Sequence, residues 1–174
     1  MSNKSVKDLL AMMAEKNNHN QNASEPSEQQ LVDLLNLPDK GPYHFVNLLK
    51  FKEKADYPSD HPLAEKDLSG ERAYNIYGMA ALEHVTKRGG RLITSNNVVT
   101  TVIGESNNWD KVATMEYQTV NAFIDMLCDP DYQSELLHRD AGLLDTQLFV
   151  TKPQIARPVG RFKALLVKAL RKKR

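Results

Sequence analysis

The most constraining feature of the sequence is an apolar segment, Tyr43–Phe51, that reads YHFVNLLKF. Side chains alternate between the two sides of a strand, and here both alternating sets are largely apolar. A strand of this kind is typically covered on both faces rather than exposed on one. The helices of a small domain can cover one face. We therefore expect a second sheet on the other face, which a partner chain can supply.

Helical and extended patterns follow this strand in a regular order. Ser69 is a predicted N-cap for a helix over Gly70–Lys87. Thr119 is a predicted cap for a second helix with apolar residues at helical spacing, which Asp129-Pro130 breaks and restarts. Residues 91–95 and 97–104 are rich in β-forming residues and together count as the next β element, with the better strand over 97–104. Further strands are predicted over 109–118 and 146–151.

The order of elements from residue 41 to 152 is therefore β, α, β, β, α, β. This order is typical of a split βαβ, ferredoxin-like arrangement, in which two helices cover one face of an antiparallel sheet. We therefore expect an α+β fold in three parts. They are a helical arm with a polar linker over 1–40, the ferredoxin-like domain over 41–153, and a basic amphipathic tail over 154–174. In the arm, Ser27 begins a short predicted helix that Pro38 ends.

Charge is distributed unevenly between the domain and the tail. The net charge is +1, but residues 157–174 carry eight basic side chains and no acidic one. The preceding residues carry 15 basic and 22 acidic side chains. An acidic body is a poor match for the phosphate backbone of nucleic acid. We therefore expect no nucleic-acid partner for the domain.

Several classes of function are disfavoured by what the sequence lacks. Its single cysteine, Cys128, can form neither an intrachain disulfide nor a cysteine-rich zinc site. No apolar run is long enough to span a membrane, and residues 1–15 lack the pattern of a signal peptide, so we expect a cytoplasmic protein. Phosphate-binding loops, dinucleotide-binding fingerprints, nucleophile elbows and helical His-x-x-x-His pairs are absent too. We therefore predict no cofactor and no metal.

A string of short motifs between residues 43 and 152 resembles the DUF-1330 family, a domain family of unknown function. The motifs, in order, are NLLKF at 47–51, Tyr74-x-x-Tyr77, GGRL at 89–92, Gly104 followed by Trp109, the passage at 116–119, and DYQ at 131–133 with Arg139 downstream. The family looks like part of the dimeric α+β barrel group, in which two ferredoxin-like sheets pack face to face. The resemblance therefore implies a homodimer, which would cover the second apolar side of Tyr43–Phe51.

The wider barrel group includes several kinds of enzyme. Cofactor-free monooxygenases, lactone isomerases, polyketide cyclases and haem-degrading enzymes all occur in it. A shared fold does not select among these reactions, because function resides in the site.

Polar residues of the first strand and the first long helix are candidates for a ligand pocket. Asn47 is the one amide on an otherwise apolar side of its strand, and a buried amide needs hydrogen-bond partners. Tyr74, Tyr77 and His84 are spaced to share one side of the helix. We expect them to line a cleft, with His84 or Tyr77 transferring a proton and Asn47 holding an oxygen. Ordinary core packing is the alternative for each.

The last predicted helix contributes a second set of candidates. Tyr132, Gln133 and Arg139 match the family's pattern, and Tyr132 and Arg139 share a side of the helix. Arg139 is predicted to bind a ligand carboxylate through two hydrogen bonds; a structural ion pair, for example with Asp140, is the alternative. Trp109, another position of the resemblance, is also a predicted ligand contact.

The basic tail carries a separate prediction. Pro158 can begin a helix whose apolar residues recur at roughly helical spacing among lysines and arginines. This pattern is typical of a helix that lies on an anionic membrane surface. The residues predicted to contact the membrane are Phe162, Lys163, Leu166, Lys168, Leu170 and Arg171. Packing of the apolar stripe on the domain or its dimer mate, and contact with RNA, are the alternatives.

Two classes of function follow from these patterns. The first is a small-molecule-binding domain that acts as a cofactor-independent isomerase, cyclase or monooxygenase on a small, partly apolar metabolite. The second is a non-catalytic ligand-binding or adaptor protein that the C-terminal helix tethers to the inner membrane surface. A cleft with convergent polar groups would favour the first class, whereas a cleft filled by side chains would favour the second.

Overall fold

The computed structural model of the chain describes residues 25–104 and 108–154. Within these residues, four strands and four helices follow one another along the chain. The helices are α1 (Glu28–Leu35), α2 (Gly70–Lys87), α3 (Val120–Leu127) and α4 (Pro130–Gly142). The strands are β1 (Tyr43–Phe51), β2 (Arg91–Asn97), β3 (Lys111–Tyr117) and β4 (Leu143–Thr151).

The four strands form one antiparallel sheet in the order β2-β3-β1-β4. β1 and β3 pair at the centre, and each of the two edge strands follows a helix. This is the connectivity of a ferredoxin-like fold, so the predicted α+β fold class is confirmed. The barrel that two such sheets would form stays a prediction.

The helices begin at the caps that the sequence predicts. Ser27, Ser69 and Thr119 each accept a hydrogen bond from the backbone N–H three residues later, which satisfies one of the free donors at a helix start. Asp129 caps α4, and Pro130 occupies the first turn, where its missing N–H costs nothing. The chain therefore turns from α3 directly into α4.

The helix face of the sheet carries the main core. Tyr43, Phe45 and Leu49 of β1 point to this face and are buried. The Phe45 ring packs against the rings of Tyr117 and Phe123, with centroid separations of 4.8 and 4.4 Å. Aromatic pairs at such distances bury a large apolar area in specific geometry. This cluster fixes the position of α3 over the sheet.

The crossing of α2 and α4 depends on two glycines, Gly70 and Gly142. A Cβ atom on Gly142 would lie 2.7 Å from the backbone nitrogen of Tyr74, and closer still to the carbonyl oxygen of Gly70. Only glycine permits so close an approach of two backbones. The two helices are therefore held at a fixed distance, which sets the relative positions of their side chains.

The short helix α1 packs on the domain. Leu31 is buried in the same core as Phe45, and the Tyr43 hydroxyl donates to the carbonyl oxygen of Pro38 at 2.6 Å. The helix is therefore physically part of the domain that was predicted to begin at residue 41. Residues 1–24, which make up most of the predicted arm and linker, lie outside the described residues.

The predicted strand over 97–104 is wrong. β2 ends at Asn97, which pairs with Lys111 at the start of β3. Residues 98–104 run past that end and form no strand, and Val99, Val102 and Ile103 are 95%, 86% and 92% exposed. β-branched residues favour strands only where a neighbouring strand can complete the hydrogen-bond ladder. After Val98, whose N–H donates to the carbonyl oxygen of Asp110 at 2.9 Å, no strand in the described part of the chain continues this ladder.

Candidate functional site

A cavity of about 920 Å³ lies between the sheet and the helices that cover it. Residues of all four strands and of all four helices line it, and most of them are apolar. On the edge strand β4 five consecutive residues, 146–150, contribute to the lining. Six of the eight residues predicted at a ligand site line this cavity: Asn47, Tyr74, Tyr77, Tyr132, Gln133 and Arg139. Apolar walls with a few convergent polar groups are the usual form of a small-molecule site.

Asn47 lies at the floor of the cavity, in the middle of β1. It is flanked by Ala113 of β3 and Leu148 of β4. Its Nδ2 donates hydrogen bonds to the carbonyl oxygens of Phe45 and Ala113 at 3.3 and 3.4 Å. These two bonds use the amide nitrogen and orient the side chain. Asn47 therefore brings a polar amide group to an otherwise apolar stretch of the cavity floor.

Three tyrosines converge on the helical wall. The hydroxyl oxygens of Tyr77 on α2 and Tyr132 on α4 are 2.6 Å apart, and either can be the donor. The Tyr74 ring lies one turn away on α2 and packs edge-on against the Tyr77 ring, with centroids 5.4 Å apart. The close crossing of the two helices at Gly142 brings Tyr132 of α4 near enough for the hydrogen bond with Tyr77. The wall therefore presents three phenol groups side by side.

Arg139 supplies the positive charge of this wall. Its side chain is only 17% exposed, and its Nη1 donates to Oδ1 of Asp140 at 3.3 Å. Burial lowers the pKa of the guanidinium, but the interactions with Tyr77, Tyr132 and other neighbours raise it by more. The pKa is therefore raised, and Arg139 carries a full positive charge at any physiological pH.

Burial raises the pKa of the three tyrosine hydroxyls above the ordinary value of 10. At Tyr77, the charge of Arg139 and the hydrogen bond with Tyr132 act in the opposite direction without offsetting burial. The hydroxyls are therefore neutral at physiological pH and serve as hydrogen-bond donors. This shift gives no support to the predicted role of Tyr77 in proton transfer.

Gln133 connects α3 to α4. Its Nε2 donates to the carbonyl oxygen of Leu127, the last residue of α3, at 2.6 Å. This bond satisfies one of the carbonyl groups left open at a helix end. Gln133 therefore holds the turn between α3 and α4 while also lining the cavity.

His84 and Trp109 are not among the residues that line the cavity. His84 is buried near the end of α2, with its Nδ1 3.2 Å from Oδ2 of Asp129, and Arg88 binds the same carboxylate oxygen at 2.9 Å. This cluster ties the end of α2 to the start of α4. Trp109 precedes β3, outside any helix or strand. The predicted roles of both residues at the ligand therefore find no support in their placement.

The sequence analysis did not predict that α1 and α3 form walls of the cavity. Leu31 and Leu34 of α1, with Phe123 and Leu127 of α3, line the cavity. Their helical spacing was a usable signal, since it predicted one buried side for each helix. It did not say which surface would cover that side.

A second polar cluster lies on the opposite face of the sheet. His44, Glu116 and Arg91 are cross-strand neighbours, so their side chains share that face. Glu116 is 4% exposed, accepts a hydrogen bond from Nε of Arg91 at 2.9 Å, and lies 3.1 Å from Nε2 of His44. The hydrogen bond from Arg91 is the largest of the effects that hold the pKa of Glu116 below its ordinary value.

Two predictions concern metals and membranes. In residues 25–104 and 108–154, no group of three or more His, Cys, Asp or Glu side chains is placed to hold a metal ion. No helix within those ranges has the length and apolarity to cross a membrane. The residues predicted to lie on a membrane surface fall outside the described residues: Phe162, Lys163, Leu166, Lys168, Leu170 and Arg171.

Comparison with solved structures finds relatives of the same fold. Two crystal structures of RPA0582, a protein of unknown function from Rhodopseudomonas palustris, are similar to this chain; one is of the methylated protein. They are 27% and 28% identical to it, with TM-scores of 0.68 and 0.66. The matches cover 77% of this chain and 96% and 97% of theirs.

A more distant match is a dimeric protein of unknown function with a ferredoxin-like fold from Bacteroides fragilis. It is 12% identical, with a TM-score of 0.37, and the match covers 67% of this chain and all of that one. No protein-family model and no curated protein matches this chain.

Proposed function

We propose that this protein binds a small, partly apolar metabolite in the cavity between its sheet and its helices. The observation that carries the proposal is the cavity itself, with apolar walls, Asn47 at the floor, and Arg139 beside three tyrosines on the helical wall. Protein interiors are close-packed, and voids larger than a water molecule are few. A cavity of about 920 Å³ is in the size range of ligand sites rather than of packing defects.

The polar groups also suggest which reactions such a site would support. Arg139 and the Tyr77 hydroxyl are donors in a largely buried wall, where hydrogen bonds to a developing oxyanion are strongest. A cofactor-independent isomerase, cyclase or monooxygenase that forms an enolate would use donors of this kind. Among the described residues that line the cavity none is a histidine, so we assign these groups to binding and polarisation rather than to proton removal.

Native mass spectrometry of protein purified gently from cells tests the binding proposal. We expect a discrete retained mass on the wild-type protein. Ala113→Phe, which adds a ring at the cavity floor opposite Asn47, should abolish that mass. Ile76→Phe is the matched control, because Ile76 is on α2 but does not line the cavity. Equal retention by both variants would show that the compound binds elsewhere.

We further propose a homodimer that forms through the face of the sheet opposite the helices. Val46 and Phe149 are cross-strand neighbours on that face, as are Leu48 and Val112. Phe149, which lies on the edge strand and also borders the cavity, is 49% exposed in the single chain. Exposed apolar patches commonly mark interaction surfaces. A second sheet packed there would cover them. Membership in the DUF-1330 family and a cytoplasmic location are proposals that rest on the sequence.

A further inference from the structure

We propose that the ligand of the cavity is an organic anion: an apolar body that carries one carboxylate or comparable oxyanion, bound by Arg139 and the tyrosine hydroxyls. This inference rests on the proposed function, because it names the class of compound that the same cavity takes. It follows from the charge and hydrogen-bonding character of the cavity wall.

A positively charged residue, Arg139, belongs to the wall of the cavity. Its side chain is only 17% exposed, so the charge is largely removed from bulk water. A buried charge is costly unless charged or polar partners surround it. Asp140 is one such partner at 3.3 Å, but Asp140 does not line the cavity. Arg139 therefore contributes a positive charge to the lining of the α4 wall.

The tyrosine hydroxyls of the same wall can act as hydrogen-bond donors. Tyr74, Tyr77 and Tyr132 line the cavity together with Arg139, and they are neutral because burial raises the pKa of each. Tyr77 and Tyr132 share one hydrogen bond, in which one hydroxyl donates and the other accepts. The accepting hydroxyl still has its own proton to donate. A guanidinium beside phenol donors matches an oxygen that bears negative charge.

Three other charged residues line the cavity: Lys111, Glu25 and Asp33. Lys111 is held by an ion pair with Glu71 at 2.8 Å. The acidic lining residues are Glu25 and Asp33, which lie just before and within α1, and Asp33 accepts a hydrogen bond from Gln29. The carboxylates of the lining thus belong to the α1 wall, and Arg139 belongs to α4.

The rest of the lining is largely apolar, and it sets the shape of the ligand. Phe45, Phe123 and Leu127 form an apolar region where the sheet meets α3. Apolar surface of this kind favours burial of a hydrocarbon or aromatic body, at roughly 25 cal/mol per Å². An anion without such a body would leave this region unfilled. The cavity therefore fits an amphipathic acid better than a small inorganic anion.

The test compares two fluorescent probes that share an apolar body and differ in charge. Anilinonaphthalene sulfonate carries a sulfonate, which stands in for the ligand's oxyanion, and N-phenylnaphthylamine is neutral. We expect Arg139→Gln to weaken binding of the sulfonate probe about tenfold and to change that of the neutral probe less than about twofold. Arg72→Gln, on the exposed surface of α2, is the matched control and should change neither.

Ala113→Phe separates failure of this inference from failure of the proposed function. If the wild-type protein binds neither probe, or if Ala113→Phe weakens neither, the cavity is not the binding site and both proposals fall. If both probes bind in the cavity and Arg139→Gln affects them equally or not at all, the anion class is wrong while the proposed function stands.

A second variant tests the inference in case the Arg139→Gln protein does not fold, which the lack of a cooperative unfolding transition would show. Tyr77→Phe removes one donor from the same wall without removing charge. We expect it to weaken binding of the sulfonate probe about threefold or more and to leave binding of the neutral probe nearly unchanged. Unchanged binding of the sulfonate probe by a folded Tyr77→Phe protein would overturn the assignment.

Discussion

The hydroxyl oxygens of Tyr77 and Tyr132 lie 2.6 Å apart although the residues are 55 positions apart in the chain. The contact joins α2 to α4 across the wall of the cavity, and both side chains are buried. It therefore couples the packing of the helix pair to the geometry of the candidate site. Any change to one hydroxyl affects the other.

Removal of one hydroxyl should lower the free energy of unfolding by more than half of what removal of both lowers it. In Tyr77→Phe the buried Tyr132 hydroxyl loses its partner, so we expect the free energy of unfolding to fall by about 1–3 kcal/mol. The double variant with Tyr132→Phe should lose less than the sum of the two single changes, because no hydroxyl is then left unpaired. Urea unfolding of the four proteins measures the cycle. Strictly additive losses would show that the two hydroxyls are not coupled.

Two helical glycines should respond to alanine in opposite directions. In Gly142→Ala the new methyl group meets the backbone of α2, so we expect a loss of about 1–3 kcal/mol or more in the free energy of unfolding. At Gly78, in the middle of α2, a Cβ atom meets nothing within 4 Å. Gly78→Ala should therefore stabilise the protein by about 0.5–1 kcal/mol. Thermal and urea unfolding measure both changes, and destabilisation by Gly78→Ala would contradict this account.

Local signals in the sequence were sufficient for most of the fold. The caps Ser69 and Thr119 and the apolar segment Tyr43–Phe51 each act within a few residues, so their effect can be predicted without knowledge of the rest of the chain. The strand prediction over 97–104 was wrong because a strand depends on another part of the chain. Its β-branched residues favour a strand, but a strand needs a neighbour. β3 begins only at Lys111, the partner of Asn97, so it does not extend alongside this segment.

The candidate site was predictable to the extent that it depends on helical spacing. Tyr74 and Tyr77 are one turn apart and both line the cavity, as expected. His84 lies on the same side of α2, two turns further along the helix. There that side contacts Asp129 at the start of α4. Spacing along one helix predicts which residues share a side. It does not predict what that side faces at each end.

The homodimer proposal predicts a specific sensitivity at Phe149. A carboxylate at this position would have to be buried without a partner in a sheet-to-sheet interface. We therefore expect Phe149→Asp to convert a dimer to a monomer in light scattering at micromolar concentration. Leu137→Asp, at an exposed apolar position on α4, is the control and should leave the dimer intact. A wild-type monomer, or a Phe149→Asp dimer of unchanged stability, would contradict the proposed interface.

Glu116 should make the protein sensitive to acid. Its pKa lies below the ordinary value of 4.5, chiefly because of the hydrogen bond from Arg91, with a further contribution from the hydrogen bond with His44. A depressed carboxyl pKa in the folded state contributes stability that is fully present above about pH 4.5. This contribution is lost as the pH falls through the folded-state pKa. Arg91 is largely exposed, so added salt should reduce it.

Glu116→Gln isolates this effect. The amide keeps the shape of the side chain but cannot accept charge-assisted hydrogen bonds from Arg91, so we expect a loss of about 1–3 kcal/mol at neutral pH. Below the folded-state pKa the wild-type carboxyl is itself neutral, and the two proteins should converge in stability. Urea unfolding from neutral pH down to about pH 3 measures the difference, with Glu83→Gln, an exposed change on α2, as the control. A difference between wild type and Glu116→Gln that stays constant with pH would mean that the role of Glu116 in stability does not depend on its charge.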